Sequence, residues 1–179
     1  MPPPKACCTQ AHVFGPAAQF PYAEGRGYTP PDAPIDAYLK LLDTLGLERG
    51  VIVHGSAHGS DNRVDLHGIA QAPDRLRGVA VVEPNISNAE LEAMAEGGIR
   101  SIRLLTMLKG AFGKDLLEPM AERIKQFGWH IAIHLDSVAE IAELEPCLHK
   151  LPVDVVDHLG RVRGAEGVNH PGFQALLSL

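Results

Sequence analysis

Six short, nearly continuous apolar runs, separated by stretches with helical spacing, constrain this 179-residue chain more than any other feature. The runs cover residues 6–14, 50–54, 78–82, 101–105, 130–135 and 153–157. A strand that is apolar on both sides belongs in a parallel sheet covered on both faces, whereas a sheet with one wet face would alternate apolar and polar residues. The intervening stretches carry helix signals. Pro34 suits a first helical turn, Ile35, Tyr38, Leu42 and Leu45 fall on one face, and Gly46 ends the pattern. Ser87 and Glu90 have the spacing of a capping box ahead of Leu91 and Met94. Met120, Ile124 and Phe127 form another stripe closed by Gly128, and a last helix begins near Pro171. Repeated βα units imply an α/β fold with right-handed crossovers.

A closed (β/α)8 barrel takes about 250 residues and eight strands. The reading is therefore a TIM-type barrel with six of its eight βα units, one incomplete domain over residues 1–179. The edges of the first and sixth strands would be open, and open parallel edges invite self-association. The Pro/Gly-rich stretch of residues 15–34 reads as a long functional loop across the barrel mouth.

Composition narrows the partners. The net charge of −6, with no basic run, argues against a nucleic-acid partner. No apolar run approaches the roughly 18–20 residues of a membrane helix, and the N-terminal segment lacks the charged and apolar regions of a secretory signal. Three cysteines, Cys7 and Cys8 adjacent, make neither a disulfide framework nor a CxxC pattern, which points to the cytoplasm. No GxGxxG or GxxxxGK[ST] phosphate loop and no GxSxG elbow occurs.

In such barrels chemistry gathers at the C-terminal ends of the strands. His12, His54 or Ser56, Arg103, His134 and His158 all fall at such ends. Arg103 and Arg161 suit the bidentate recognition of carboxylates, and Arg103 sits inside an apolar run, where burial demands a partner. Asp157 alternates away from His158 and reads as a backbone anchor; His58 and His67 read as loop and helix-surface residues. Cys8 reads as a small structural hydrophobe.

Several segments together resemble one family. They are Thr9-Gln10-Ala11-His12-Val13-Phe14-Gly15-Pro16, Tyr28-Thr29-Pro30-Pro31, Gly55-Ser56-Ala57-His58-Gly59-Ser60-Asp61-Asn62, Gly98-Ile99-Arg100-Ser101-Ile102-Arg103 and Val156-Asp157-His158-Leu159-Gly160-Arg161. In order and across essentially the whole chain, they resemble the lactonase branch of the amidohydrolase superfamily, the branch of 2-pyrone-4,6-dicarboxylate lactonases and galactarolactone isomerases. The resemblance implies opening or rearrangement of a carboxylated lactone, by hydrolysis or isomerisation, without a metal. In the wider superfamily two strand-1 histidines ligate a metal together; Gln10 stands in the first of these positions, and an amide oxygen is a poor zinc ligand. Cys8 and His134 also depart from the branch, which usually has Asp and commonly Gln there. His12 and His158 are the implied catalytic groups. Tyr28, Ser56, Asn62, Arg103, His134 and Arg161 are the implied substrate contacts. No cofactor is expected, and a divalent metal at His12, His134 and His158 is the disfavoured alternative, as in a metal-dependent decarboxylase or hydrolase of the superfamily. The resemblance places the general base on strand 8, outside the six units, so the chain is expected to turn over weakly or only to bind acids.

Overall fold

The computed structural model describes residues 2–106, 113–151 and 154–179, the side chain of Asp154 excepted. The chain divides into two compact units, Met1–Val81 with Ile86–Arg100 and Val82–Asn85 with Ser101–Leu179.

The first unit runs β1 (Cys7–Ala11), α1 (Ile35–Leu45), β2 (Arg49–Val53), α2 (Arg63–Gln71), β3 (Leu76–Ala80) and α3 (Asn88–Glu96). β1 pairs parallel to β2, and β2 parallel to β3, with Gly50 opposite Leu76 and Val53 opposite Val79. Between Cys8↔Gly50 and Ala11↔Ile52 the β1 side gains a residue, so a bulge interrupts the strand beside Gln10. Leu42, Ile52, Ile69, Leu76 and Leu91 are fully buried in the core of this unit.

α1 buries Ile35, Tyr38 and Leu42 as its spacing requires, and Gly46 closes it in the left-handed region at φ 69°. Leu45 departs from the expected face: it is 52% exposed, because it is the last helical residue and the chain reverses at Gly46 immediately after it. Gly50 is required by close approach, since a Cβ there would lie 2.4 Å from the Tyr38 hydroxyl. α3 starts with the expected capping box, Glu90 N–H donating to Ser87 Oγ at 3.2 Å and Ser87 N–H to Glu90 Oε2 at 2.8 Å. Hydrogen bonds from Ser87 hold the Glu90 carboxyl below the usual range. Ser87→Ala is expected to lower stability by about 1 kcal/mol, measurable as a shift of the urea midpoint at constant slope.

The second unit continues with β4 (Ile99–Leu105), which enters it at Ser101, then α4 (Leu117–Lys125), β5 (His130–His134), α5 (Ala139–Leu148), β6 (Asp154–Val156) and α6 (Pro171–Ser178). Ser101 to Leu105 pair in parallel register with His130 to His134, and Ile131 to Ile133 with Asp154 to Val156. Val153, the first residue of the expected sixth run, lies outside the described residues. Met120 and Ile124 of the α4 stripe are buried, whereas Phe127 falls after the helix and is half-buried. α6 begins at Pro171 as expected and meets α5 so closely that a Cβ on Gly172 would lie 1.9 Å from the Val138 carbonyl oxygen. Among the described residues, no helix is long and apolar enough to cross a membrane. The α/β class and all six strands are therefore as the apolar runs predict, parallel within each unit.

Candidate active-site clusters

In the first unit, polar side chains gather after β1 and β2. His12 follows β1, and its ring Nδ1 lies 2.6 Å from the Val53 carbonyl oxygen, an acceptor that places a proton on Nδ1. The His12 ring lies 5.8 Å from Phe14, and Phe14 meets Tyr28 edge-on at 6.4 Å. Tyr28 sits in the 15–34 loop and is 46% exposed. The loop is closed at its base by a pair of 2.9 Å hydrogen bonds between Phe14 and Ala33, and Ala23 N–H donates to the Ala57 carbonyl at 2.9 Å. The side-chain amide nitrogen of Gln10 is buried with no hydrogen-bond partner among the described residues.

His54 and Asp65 form the most deeply buried polar pair of this unit. His54 Nδ1 lies 2.5 Å from Asp65 Oδ2 with both side chains at 0% exposure, and His54 Nε2 lies 3.0 Å from the Gly59 carbonyl. The pair fixes the turn after β2 to α2 and leaves no open face on His54 for a ligand. Ser56 opens a short 3-10 turn over Ser56–His58. Asn62 is buried and committed: its amide donates to Ser60 and Val81 carbonyls at 2.9 and 2.7 Å and accepts from Val81 N–H at 2.9 Å. It ties the end of β3 to the start of α2, while Asp61 accepts from the Arg63 backbone.

His58 corrects the expectation of a loop-surface residue. It is 2% exposed, because the 15–34 loop folds over it. Its Nδ1 donates to Pro21 O at 3.2 Å, Tyr22 lies 4.8 Å away and Phe14 stacks at 5.9 Å. His67 is on the surface of α2 as expected, beside Phe20. Cys8 is half-buried with a free thiol.

In the second unit the cluster centres on Asp157. Arg103 is 2% exposed and donates through Nε at 2.9 Å and Nη2 at 2.5 Å to Asp157 Oδ2. Asp157 thus serves a side chain rather than the backbone. β6 ends at Val156, so the alternation that would turn Asp157 away no longer applies, and His158, Leu159, Gly160 and Arg161 all adopt positive φ. Three of these four are not glycine, and each such residue costs about 1–2 kcal/mol of local strain; strain of this kind gathers at functional sites. The turn exposes His158, brings its ring edge-on to His134 at 5.1 Å, and directs Arg161 to Asp136 at 3.3 Å.

His134 is half-buried and its Nδ1 has no hydrogen-bond partner among the described residues. Burial, with Arg103 and His158 adding to it, pushes its pKa down to about 4, while Asp157 opposes the shift. It is therefore a neutral imidazole at neutral pH. Burial lowers His130 at the start of β5 in the same way.

His134, Asp157 and His158 bring ligand-type atoms within 4.8 Å of one another. The carboxylate of this set is already paired with the Arg103 guanidinium. The partnership of Arg103 and Asp157 was missed in the sequence. Its signal was there in part: an arginine inside an apolar strand requires a counter-charge.

With this geometry in hand, likeness to known proteins becomes interpretable. The amidohydrolase family profile matches residues 8–179. The chain belongs to the amidohydrolase family. It is 37% identical over 182 residues to a 4-sulfomuconolactone hydrolase of Rhizobium radiobacter, covering 99% of this chain and 60% of the relative. It is 38% identical over 178 residues to a 2-pyrone-4,6-dicarboxylate hydrolase of Comamonas testosteroni, covering 98% and 58%. A probable 2-pyrone-4,6-dicarboxylic acid hydrolase of Acinetobacter baumannii, solved with citric acid bound, superposes with a TM-score of 0.82 at 28% identity, covering 97% of this chain and 66% of that one. The fold matched is the amidohydrolase-type β/α barrel, and this amidohydrolase spans 58–60% of the length of the two curated relatives.

Proposed function

We propose that this amidohydrolase acts on a carboxylated lactone of the 2-pyrone-4,6-dicarboxylate or sugar-acid type, opening it by hydrolysis without a resident metal. The observation that carries the reading is the second-unit cluster, where His134 and His158 lie beside the buried Arg103–Asp157 pair and Arg161 is held only by the exposed Asp136. Relatives named for lactone hydrolysis, and one holding citrate, support an anionic, multiply carboxylated substrate.

In this reading Arg161 receives a substrate carboxylate. Its pair with Asp136 spans 3.3 Å with the Asp136 side chain 72% exposed, and exposed pairs contribute only about 0–1 kcal/mol, so a substrate carboxylate exchanges for it at little cost. Arg103, seated on Asp157, supplies fixed positive charge behind the histidines. Water adds to the lactone carbonyl carbon, the acyl C–O bond breaks, and the proton that the water gives up passes to the departing ring oxygen. His158 is assigned to donate to the reacting oxygens, and neutral His134 offers a hydrogen bond without adding charge. Ser56 and Asn62, assigned as contacts in the sequence reading, would act through the turn they shape. Cys7, Cys8 and Cys147 form no disulfide among the described residues, and the location assigned is the cytoplasm.

Calorimetry with 2-pyrone-4,6-dicarboxylate is the test. Saturable binding is expected, weakened at least about tenfold, or 1.4 kcal/mol, in Arg161→Ala and unchanged by chelator. No saturable binding, or binding and turnover that require stoichiometric zinc or manganese, sinks the reading. Where turnover is measurable, His158→Ala should lower it by about 10²–10⁴-fold.

A further inference from the structure

His134, Asp157 and His158 have the chemistry of a divalent-cation site: two imidazoles and a carboxylate whose ligand atoms lie within 4.8 Å of one another. Yet the carboxylate is taken. Both Nε and Nη2 of Arg103 converge on one oxygen of Asp157, with the two side chains 3% and 7% exposed. A guanidinium cannot shed its charge, and its planar fork is fixed by two hydrogen bonds to a buried acid. Arg103 and Asp157 lie 54 residues apart, on β4 and after β6, so the pair is a product of the fold. Around them His134 keeps a buried Nδ1 with no hydrogen-bond partner among the described residues.

We infer that Arg103 is the resident cation of this cluster: its guanidinium, seated on Asp157, occupies the charge position that a divalent metal would otherwise take among His134, Asp157 and His158. Asp157 is then a positioning residue that aims the guanidinium. A second cation brought to the same carboxylate would face the guanidinium and Arg161, the charges that already disfavour protonated His134. With no metal holding them, both imidazoles stay available to a ligand. The inference concerns charge and uses no lactone: it shares the metal-free part of the proposed function, and its test is independent of the choice of substrate.

The experiment uses cobalt(II) alone, read by its visible absorption, and zinc(II) alone, read by the ring NMR signals of His134 and His158. The wild-type chain should show no cobalt band at one equivalent and no zinc-dependent shift of those rings. Arg103→Met should bind one cobalt at least about tenfold tighter than wild type and gain melting temperature with added metal. The added substitution Asp157→Asn should abolish both gains. A folded Arg103→Met that binds cobalt no better than wild type overturns the inference. So does a wild-type chain that takes one zinc with shifts at His134 and His158, a measurement that decides the matter by itself if Arg103→Met does not fold.

Discussion

Replacing Asp65 with alanine is expected to cost about 3–5 kcal/mol of stability, the range for removing one partner of a buried pair. The loss is a large share of the total stability of a domain. Asp65 Oδ2 lies 2.5 Å from His54 Nδ1, both side chains are inaccessible to water, and the other His54 nitrogen is occupied by the Gly59 carbonyl. Alanine would leave an imidazole N–H facing a cavity in the first unit. Asp65 also lies in the first turn of α2, the end of a helix that favours an acidic residue. Asp65→Asn keeps an acceptor for Nδ1 and should lose less, about 1–2 kcal/mol. Urea unfolding of the two variants checks the order. A loss below about 1 kcal/mol for Asp65→Ala would show that the pair contributes only what an exposed contact does. The consequence reaches the chemistry, because Val53, directly before His54, supplies the carbonyl that orients His12.

The contrast between His54–Asp65 and the strands shows what the sequence could carry. Strands and helices repeat a local period, so β4 and α1 were visible from Ile102, Leu104, Tyr38 and Leu42 alone. The buried pairs have no period. Asp65 is 11 residues from His54, and Asp157 is 54 from Arg103; each meets its partner only because the fold brings their elements together. His58 reads as a polar loop residue until the 15–34 loop lies over it. Two local irregularities also defeated the period-two reasoning. The bulge in β1 breaks, beside Gln10, the period-two alternation that a regular strand would keep. The left-handed run of His158, Leu159, Gly160 and Arg161 cancels the opposition assumed between Asp157 and His158. Both irregularities sit where candidate catalytic groups sit, as expected if local rules yield first at functional sites.

Acid should destabilise the chain through His134 well before it reaches the ordinary carboxylates. Burial, reinforced by Arg103 and His158, lowers the folded-state pKa of His134 from 6.5 to about 4. Between those values the unfolded chain binds a proton at this position and the folded chain does not. By linkage, stability then rises with pH across the window and falls as pH drops from about 6.5 to about 4. His130, lowered by burial, adds to the loss in the same direction. At 1.36 kcal/mol per pKa unit, the ceiling for His134 is about 3 kcal/mol, reduced by the water that reaches this half-buried ring. His134→Gln keeps a neutral hydrogen-bonding side chain that does not titrate, so its unfolding free energy should depend less steeply on pH than that of wild type over this window and run parallel to it above pH 7. Parallel curves throughout would mean that His134 gains its proton in the folded chain as easily as in the unfolded one. The neutral imidazole assigned beside His158 would then be charged across that window, and the cluster would present one more cation to a substrate carboxylate.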